Sequence, residues 1–80
     1  MSVLNDFEKK VFLAFTEALN LDSSTISKDL IYNEFPGWDS VAHMMIIEEL
    51  ESSFDCMMEV EDVLELSSYD KACEIMKKYT

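Results

Sequence analysis

Apolar residues recur at steps of three and four along most of this chain, which is the spacing of amphipathic α-helices. The pattern predicts a first helix from about Asn5 to Asn20, with Asn5 and Glu8 at the positions of a capping box. Its apolar stripe, widened by Phe12, contains Leu4, Phe7, Val11, Ala14, Phe15, Ala18 and Leu19. A second helix is predicted to begin at Asp39 or Ser40 and to end near Phe54. Its core face contains His43, Ile46, Ile47, Leu50 and Phe54.

Two shorter helices are predicted after the second one. The first runs from Val60 to Leu66 and turns Val63, Leu64 and Leu66 inward. Ser67 and Ser68 break it and can cap the last helix, which runs from about Tyr69 to Tyr79. That helix has Tyr69, Ala72, Cys73 and Met76 at helical spacing, and Cys56 and Met58 in the preceding connection alternate inward.

The connection from Leu21 to Asp39 is long, yet it carries too many apolar side chains for a free linker. We expect it to lie across the helices, pinned by Ile26 and Leu30, and to turn at Pro36-Gly37 into the second helix. Together the elements predict one domain over residues 1–80 with an all-α fold. The expected architecture is a small four-helix bundle with a long first loop and a short third helix.

Charge narrows the range of partners. The 80 residues carry a formal net charge of −11, and between Asp29 and Asp70 there are twelve acidic residues and no lysine or arginine. Such a surface repels nucleic acid and anionic membranes and attracts proteins with basic patches, although solubility alone could explain it. We therefore expect a monomer that neither binds nucleic acid nor inserts into membranes.

The two cysteines and the first residues of the chain indicate in which cellular compartment the protein is expected. Cys56 and Cys73 fit no metal-ligand spacing, and free core thiols are favoured over a disulfide. The chain turns polar immediately after its first residues, so we expect no signal peptide and a cytoplasmic location.

The acidic cluster at Glu59, Glu61, Asp62 and Glu65 lacks the pattern of a calcium loop, and no dedicated metal site is expected.

The second helix has more apolar residues than its core face needs. Val41, Met44 and Met45 lie with Glu48 on a different face, and two adjacent methionines cannot both reach the core centre. This surplus favours an adaptable surface that binds a partner. Ser40 opens the same helix, where the backbone N–H groups of the first turn favour an attached phosphate.

From Gly37 onward the chain carries short motifs in a characteristic order. They are Gly37-x-Asp39-Ser40 followed by Val41, Glu48-Glu49-Leu50-Glu51-x-x-Phe54-Asp55, Cys56-x-Met58, and Glu61-Asp62 before Leu66. In an acidic chain of 80 residues this series resembles the acyl carrier protein family, and the resemblance covers nearly the whole chain.

The resemblance implies that Ser40, with Asp39 in the same motif, is the attachment site of 4′-phosphopantetheine, which a phosphopantetheinyl transferase adds from coenzyme A. The thiol of this arm would hold an acyl or aminoacyl group as a thioester and present it to loading enzymes and downstream synthases. The helix that begins at the serine is the family's main docking surface, which assigns partner binding to Val41, Met44, Met45 and Glu48. We place Trp38, beside the serine, in the same surface.

Four positions depart from the pattern of fatty-acid carriers. Val41 replaces the usual leucine, Trp38 is large, and Met44 and Met45 make the docking helix less acidic. These departures favour a specialised stand-alone carrier, one that works with its own activating enzyme, over a housekeeping role in fatty-acid synthesis.

Two other functions remain open. The first is a noncatalytic acidic adaptor for a basic protein. The second is a small hydrolase that uses Ser40 and His43, which we disfavour because such a pair needs a third group and an oxyanion hole. We expect instead a histidine at the edge of an apolar face that is bonded to a loop carbonyl.

Overall fold

The computed structural model of the protein describes residues 6–21, 25 and 29–79. These residues form four α-helices, α1 (Asp6–Leu19), α2 (Ser40–Phe54), α3 (Val60–Glu65) and α4 (Tyr69–Met76), and a 3-10 turn at Lys77–Tyr79 follows α4 directly. Within this described part there is no strand, and the only extended pairing is an isolated antiparallel bridge between Ile31 and Ser68. The fold is all-α, as the apolar periodicity predicts.

The helix ends follow from local chemistry. The Asp39 side chain caps α2 by accepting a hydrogen bond from the Ala42 backbone N–H at 2.9 Å. The Ser68 hydroxyl caps α4 by accepting one from the Lys71 backbone N–H at 3.0 Å. Asp55 ends α2 in the left-handed conformation (φ 52°), which Asn and Asp tolerate better than most residues. The predicted cap at Asn5 lies outside the described residues.

The core forms where α1 packs against α2 and against α4. Val11, Ala14 and Phe15 from α1 are buried, and the predicted core face of α2 is confirmed for Ile46, Ile47 and Leu50. The other side chains with exposures of 1% or less are Leu30, Trp38, Leu66, Ala72 and Met76. The last helix is shorter than predicted, because the chain tightens into the 3-10 turn after Met76.

The connection before α2 is attached to the helices, as its apolar content predicts. Leu30 is fully buried, whereas Ile26, the other predicted anchor, lies outside the described residues. Two backbone hydrogen bonds tie the connection to the start of α4, from the Tyr32 N–H to the Ser67 carbonyl (2.8 Å) and from the Tyr69 N–H to the Leu30 carbonyl (3.0 Å). These bonds fix the part of the connection that leads towards Ser40.

Helix α3 is oriented differently from the prediction. Leu64, predicted to face inward, is 77% exposed, whereas Asp62 is buried. The carboxylate of Asp62 accepts hydrogen bonds from Lys78 Nζ (2.7 Å) and from the Tyr79 hydroxyl, and that hydroxyl accepts one from the Glu59 N–H. Because Asp62 and Leu66 share one face of the helix, their inward placement turns Leu64 to the opposite side.

The Asp62 contacts predict an acid-sensitive contribution to stability. The bonds from Lys78 and Tyr79 hold the pKa of Asp62 below its ordinary value of 3.8. A carboxyl group whose pKa is lowered by folding stabilises the fold above its ordinary pKa, and this contribution disappears as the pH falls through the lowered value. Asp62→Asn should therefore be less stable than the parent protein at pH 7, and the difference should shrink below pH 3.8. Urea unfolding followed by far-UV circular dichroism across this range measures the difference.

Glu61→Gln provides the matched control, because Glu61 is an exposed acidic neighbour on the same helix. This variant should differ little from the parent at either pH. A stability difference for Asp62→Asn that stayed constant between neutral and acid pH would contradict the role of the ionised carboxylate.

Candidate functional site

Ser40 is exposed as the first residue of α2. The side chain of Asp39 satisfies the Ala42 N–H, and the Asp39 carbonyl accepts from the His43 N–H at 2.8 Å. The backbone N–H groups of Ser40 and Val41 have no partner within the helix, as is general for a first turn. A phosphodiester on the Ser40 oxygen would therefore lie beside backbone donors and the positive end of the helix dipole.

Trp38 lies in the core, which corrects its assignment to the partner-binding surface. The side chain is 1% exposed and packs edge-on against Phe15 of α1, with ring centroids 5.1 Å apart. The ring of Tyr32 also lies edge-on to Trp38, with ring centroids 6.0 Å apart. Burying an aromatic ring of this size two residues before Ser40 fixes the position of the start of α2. An aromatic residue in a polar loop suits either surface or core, and the local sequence that led to the surface assignment does not distinguish the two.

The turn before Trp38 is shaped by two residues with positive φ. Gly37 has φ +94°, a conformation that strains other residues, and Asn33 has φ +66°. Hydrogen bonds from the Asn33 N–H to the Trp38 carbonyl and from the Trp38 N–H to the Phe35 carbonyl, each 3.0 Å, close the turn. The turn brings the chain from the Ile31 bridge to the buried Trp38 within a few residues.

His43 joins three parts of the protein. The indole N–H of Trp38 donates to His43 Nδ1 at 3.1 Å, and His43 Nε2 lies 2.8 Å from the Val63 carbonyl. Since an indole N–H can only donate, Nδ1 accepts, so the ring hydrogen is on Nε2 and is donated to Val63. That carbonyl is one of the last four of α3 and has no partner within the helix. His43 bonds a backbone carbonyl, although this carbonyl lies in α3 and not in a loop as predicted. Neither ring nitrogen is left to serve Ser40 as a base.

The predicted docking residues lie at the surface. Val41 is 69%, Met44 54% and Met45 47% exposed, and Glu48 is exposed as well. Helix α2 thus has one apolar side in the core and another in solvent. The sequence prediction missed further exposed apolar residues near α3, namely Met57, Val60 and Leu64. Val60 and Leu64 are four residues apart, and this spacing could have indicated that they share one face of α3. Whether that face lies inward or in solvent depends on the burial of Asp62.

Neither cysteine is disulfide-bonded, and both thiols are partly buried. Burial raises the pKa of each thiol, and the carboxylates of Glu51 and Asp55 add to the effect at Cys56. Both groups therefore stay protonated and weakly nucleophilic at neutral pH.

Within the described ranges, His, Cys, Asp and Glu side chains form no group of three or more that could hold a metal ion. None of the described helices combines the length and apolar character that a membrane span requires. No model of a known protein family matches this chain, and no solved structure gives a match.

The Trp38–His43 hydrogen bond predicts an energetic coupling between the two residues. Trp38→Phe and His43→Ala should each destabilise the protein, and a double-mutant cycle should give a coupling of about 1 kcal/mol, as for a partly buried hydrogen bond. Urea unfolding of the four proteins measures it. Tyr32→Phe, which keeps the ring that contacts His43, should give a smaller coupling with His43→Ala. Additive effects of Trp38→Phe and His43→Ala would show that the bond contributes nothing.

Proposed function

We propose that this protein is a carrier that holds an acyl or aminoacyl group as a thioester on a 4′-phosphopantetheine arm attached to Ser40. The observation that carries the proposal is the presentation of Ser40. It is exposed at the first position of a 15-residue helix, directly after a capping carboxylate and a buried tryptophan that fix its place. A hydroxyl held in this way is accessible to a modifying enzyme, while its surroundings supply no base for catalysis.

Attachment of the arm needs little from the carrier itself. The Ser40 oxygen forms a bond to phosphorus as the diphosphate bond of coenzyme A breaks, and adenosine bisphosphate leaves. The hydroxyl proton passes to a base of the transferase, because both ring nitrogens of His43 are engaged elsewhere. The first-turn backbone donors of α2 suit the resulting phosphodiester. Once bound, the arm supplies a thiol that carries the acyl group.

The exposed side of α2 supports a docking role. Val41, Met44 and Met45 provide apolar and adaptable contacts, and Glu48 lies among them. The net charge of −11 would speed encounters with enzymes that carry basic patches. We further propose that the four helices form the bundle of the acyl carrier family. The packing of α1 on both α2 and α4 supports this arrangement.

The proposal predicts covalent modification at a single serine. Incubation with coenzyme A and a phosphopantetheinyl transferase of broad specificity should add one phosphopantetheine to the protein, as measured by intact-mass spectrometry. Ser40→Ala should abolish the addition because it removes the attacking oxygen. Ser52→Ala removes an exposed serine from the same helix and should leave the reaction unchanged. A missing mass gain in the parent protein, or a gain that persists in Ser40→Ala, would refute the proposal.

The docking surface predicts a loss of modification rate without loss of fold. Replacing Met44 and Met45 together by Ala should lower kcat/KM of the transferase for the carrier about five-fold or more, equivalent to roughly 1 kcal/mol of lost transition-state binding. Leu13→Ala, which shortens an exposed apolar residue of α1, is the control and should change the rate little. Equal rates for the double variant and the parent would exclude the two methionines from this interface.

The acidic adaptor is the second candidate, and the exposed apolar residues of α2 favour it as well. The two functions differ in their dependence on Ser40. Replacing Ser40 by Ala in the producing cell would leave an adaptor active, whereas it would inactivate a carrier.

A further inference from the structure

The most exposed large apolar side chains of the described residues lie close together in the sequence, in α3 and just before it. Met57 is 86% exposed, Leu64 77% and Val60 70%. Val60 and Leu64 are four residues apart in the helix and therefore form one ridge along its surface. Single apolar residues are normal on a protein surface, whereas neighbouring ones mark a site of interaction. We refer to these three residues as the α3 face.

Polar contacts hold this ridge towards solvent. Asp62, on the opposite side of α3, is buried and accepts hydrogen bonds from Lys78 Nζ and the Tyr79 hydroxyl. The Val63 carbonyl lies 2.8 Å from His43 Nε2, which ties the same helix to α2. Turning α3 about its axis to bury the ridge would break these bonds. Burial of the ridge is favourable in itself, and it therefore needs a surface from outside the domain.

Acidic side chains border the α3 face, and they indicate the charge of that outside surface. The exposed acids in and beside the helix are Glu59, Glu61 and Glu65, and no lysine or arginine occurs between Asp29 and Asp70. Two copies of this chain joined through their α3 faces would bring like charges together, and an anionic membrane would be repelled. A partner with lysine or arginine around an apolar centre complements both the charge and the apolar ridge.

We propose that the α3 face is a docking site for a basic amphipathic helix of a partner protein. The ridge suits a groove between the side chains of a facing helix, and the flexible side chain of Met57 adapts to its shape. Basic residues beside the apolar side of the partner helix would lie opposite Glu61 and Glu65. The interaction needs no arm on Ser40, so it goes beyond the carrier function and holds equally for an adaptor.

A synthetic peptide tests the proposal on the whole unmodified protein. The peptide contains leucine and lysine over about 15 residues, with the leucines on one side of the helix that it forms. A second peptide of the same composition has its leucines distributed around the helix. Fluorescence anisotropy should give a Kd about ten-fold or more lower for the first peptide. In ¹⁵N-HSQC spectra, that peptide should shift the backbone amides of residues 57–65 most.

Replacing Val60 and Leu64 together by glutamine removes the ridge and keeps residues that favour a helix. This double variant should bind the first peptide about ten-fold or more weakly than the parent protein does. Leu13→Gln, which changes an exposed apolar residue of α1, is the control and should bind as the parent does. Far-UV circular dichroism checks that both variants are folded.

Several outcomes would overturn the proposal. They are no binding of the first peptide, equal binding of the two peptides, amide shifts confined to α2, and a smaller loss of affinity in the double variant. Sedimentation equilibrium provides a further test. A dimer of the parent protein that dissociates in the double variant would show that a second copy of this chain, and not a basic partner, covers the α3 face.

Discussion

The arrangement around Ser40 depends on the hydrogen bonds made by one imidazole. His43 accepts from Trp38 and donates to the Val63 carbonyl, so the connection before α2, the helix itself and α3 are joined through a single ring. Each partner has a reason to keep its bond. The indole N–H of Trp38 is attached to a ring that is 1% exposed, and the Val63 carbonyl lies at the end of a helix of only six residues. Leaving either group unpaired would cost about 1–3 kcal/mol, a large fraction of the stability of a domain this small.

Helix α3 illustrates why these polar contacts matter. Six residues are too few to form a stable helix alone, so tertiary contacts must hold it. Two of those contacts lie at different positions on the helix. The Val63 carbonyl is bonded to His43, and the buried Asp62 is bonded to Lys78 and Tyr79 in the turn that follows α4. Packing of Leu66 adds the apolar contribution. The orientation of α3 is thus set by polar groups at least as much as by its apolar residues, and this leaves Leu64 in solvent.

The sequence predicts the helices well because their apolar periodicity is strong. The predicted bounds of α2, a start at Asp39 or Ser40 and an end near Phe54, agree with the observed helix Ser40–Phe54. The errors share a physical cause. The burial of the two residues concerned depends on partners that are distant in the sequence. Asp62 is buried because Lys78 and Tyr79 come to it, and an inward carboxylate is not expected from a local pattern. Trp38 is buried because Phe15 of α1 lies next to it, although the two residues are separated by the whole connection.

The burial of Trp38 also changes how the chemistry of the site is understood. On the surface, a tryptophan beside Ser40 would be a recognition element for partners. In the core, it positions the serine and occupies the acceptor nitrogen of the histidine, the nitrogen that a general base would need. The same contact therefore occupies the nitrogen that Ser40 would need for catalysis of its own, and it agrees with the proposed modification of Ser40 by another enzyme. In the proposed carrier, recognition of partners would then fall to the exposed side of α2, where Val41, Met44 and Met45 lie in an acidic surface.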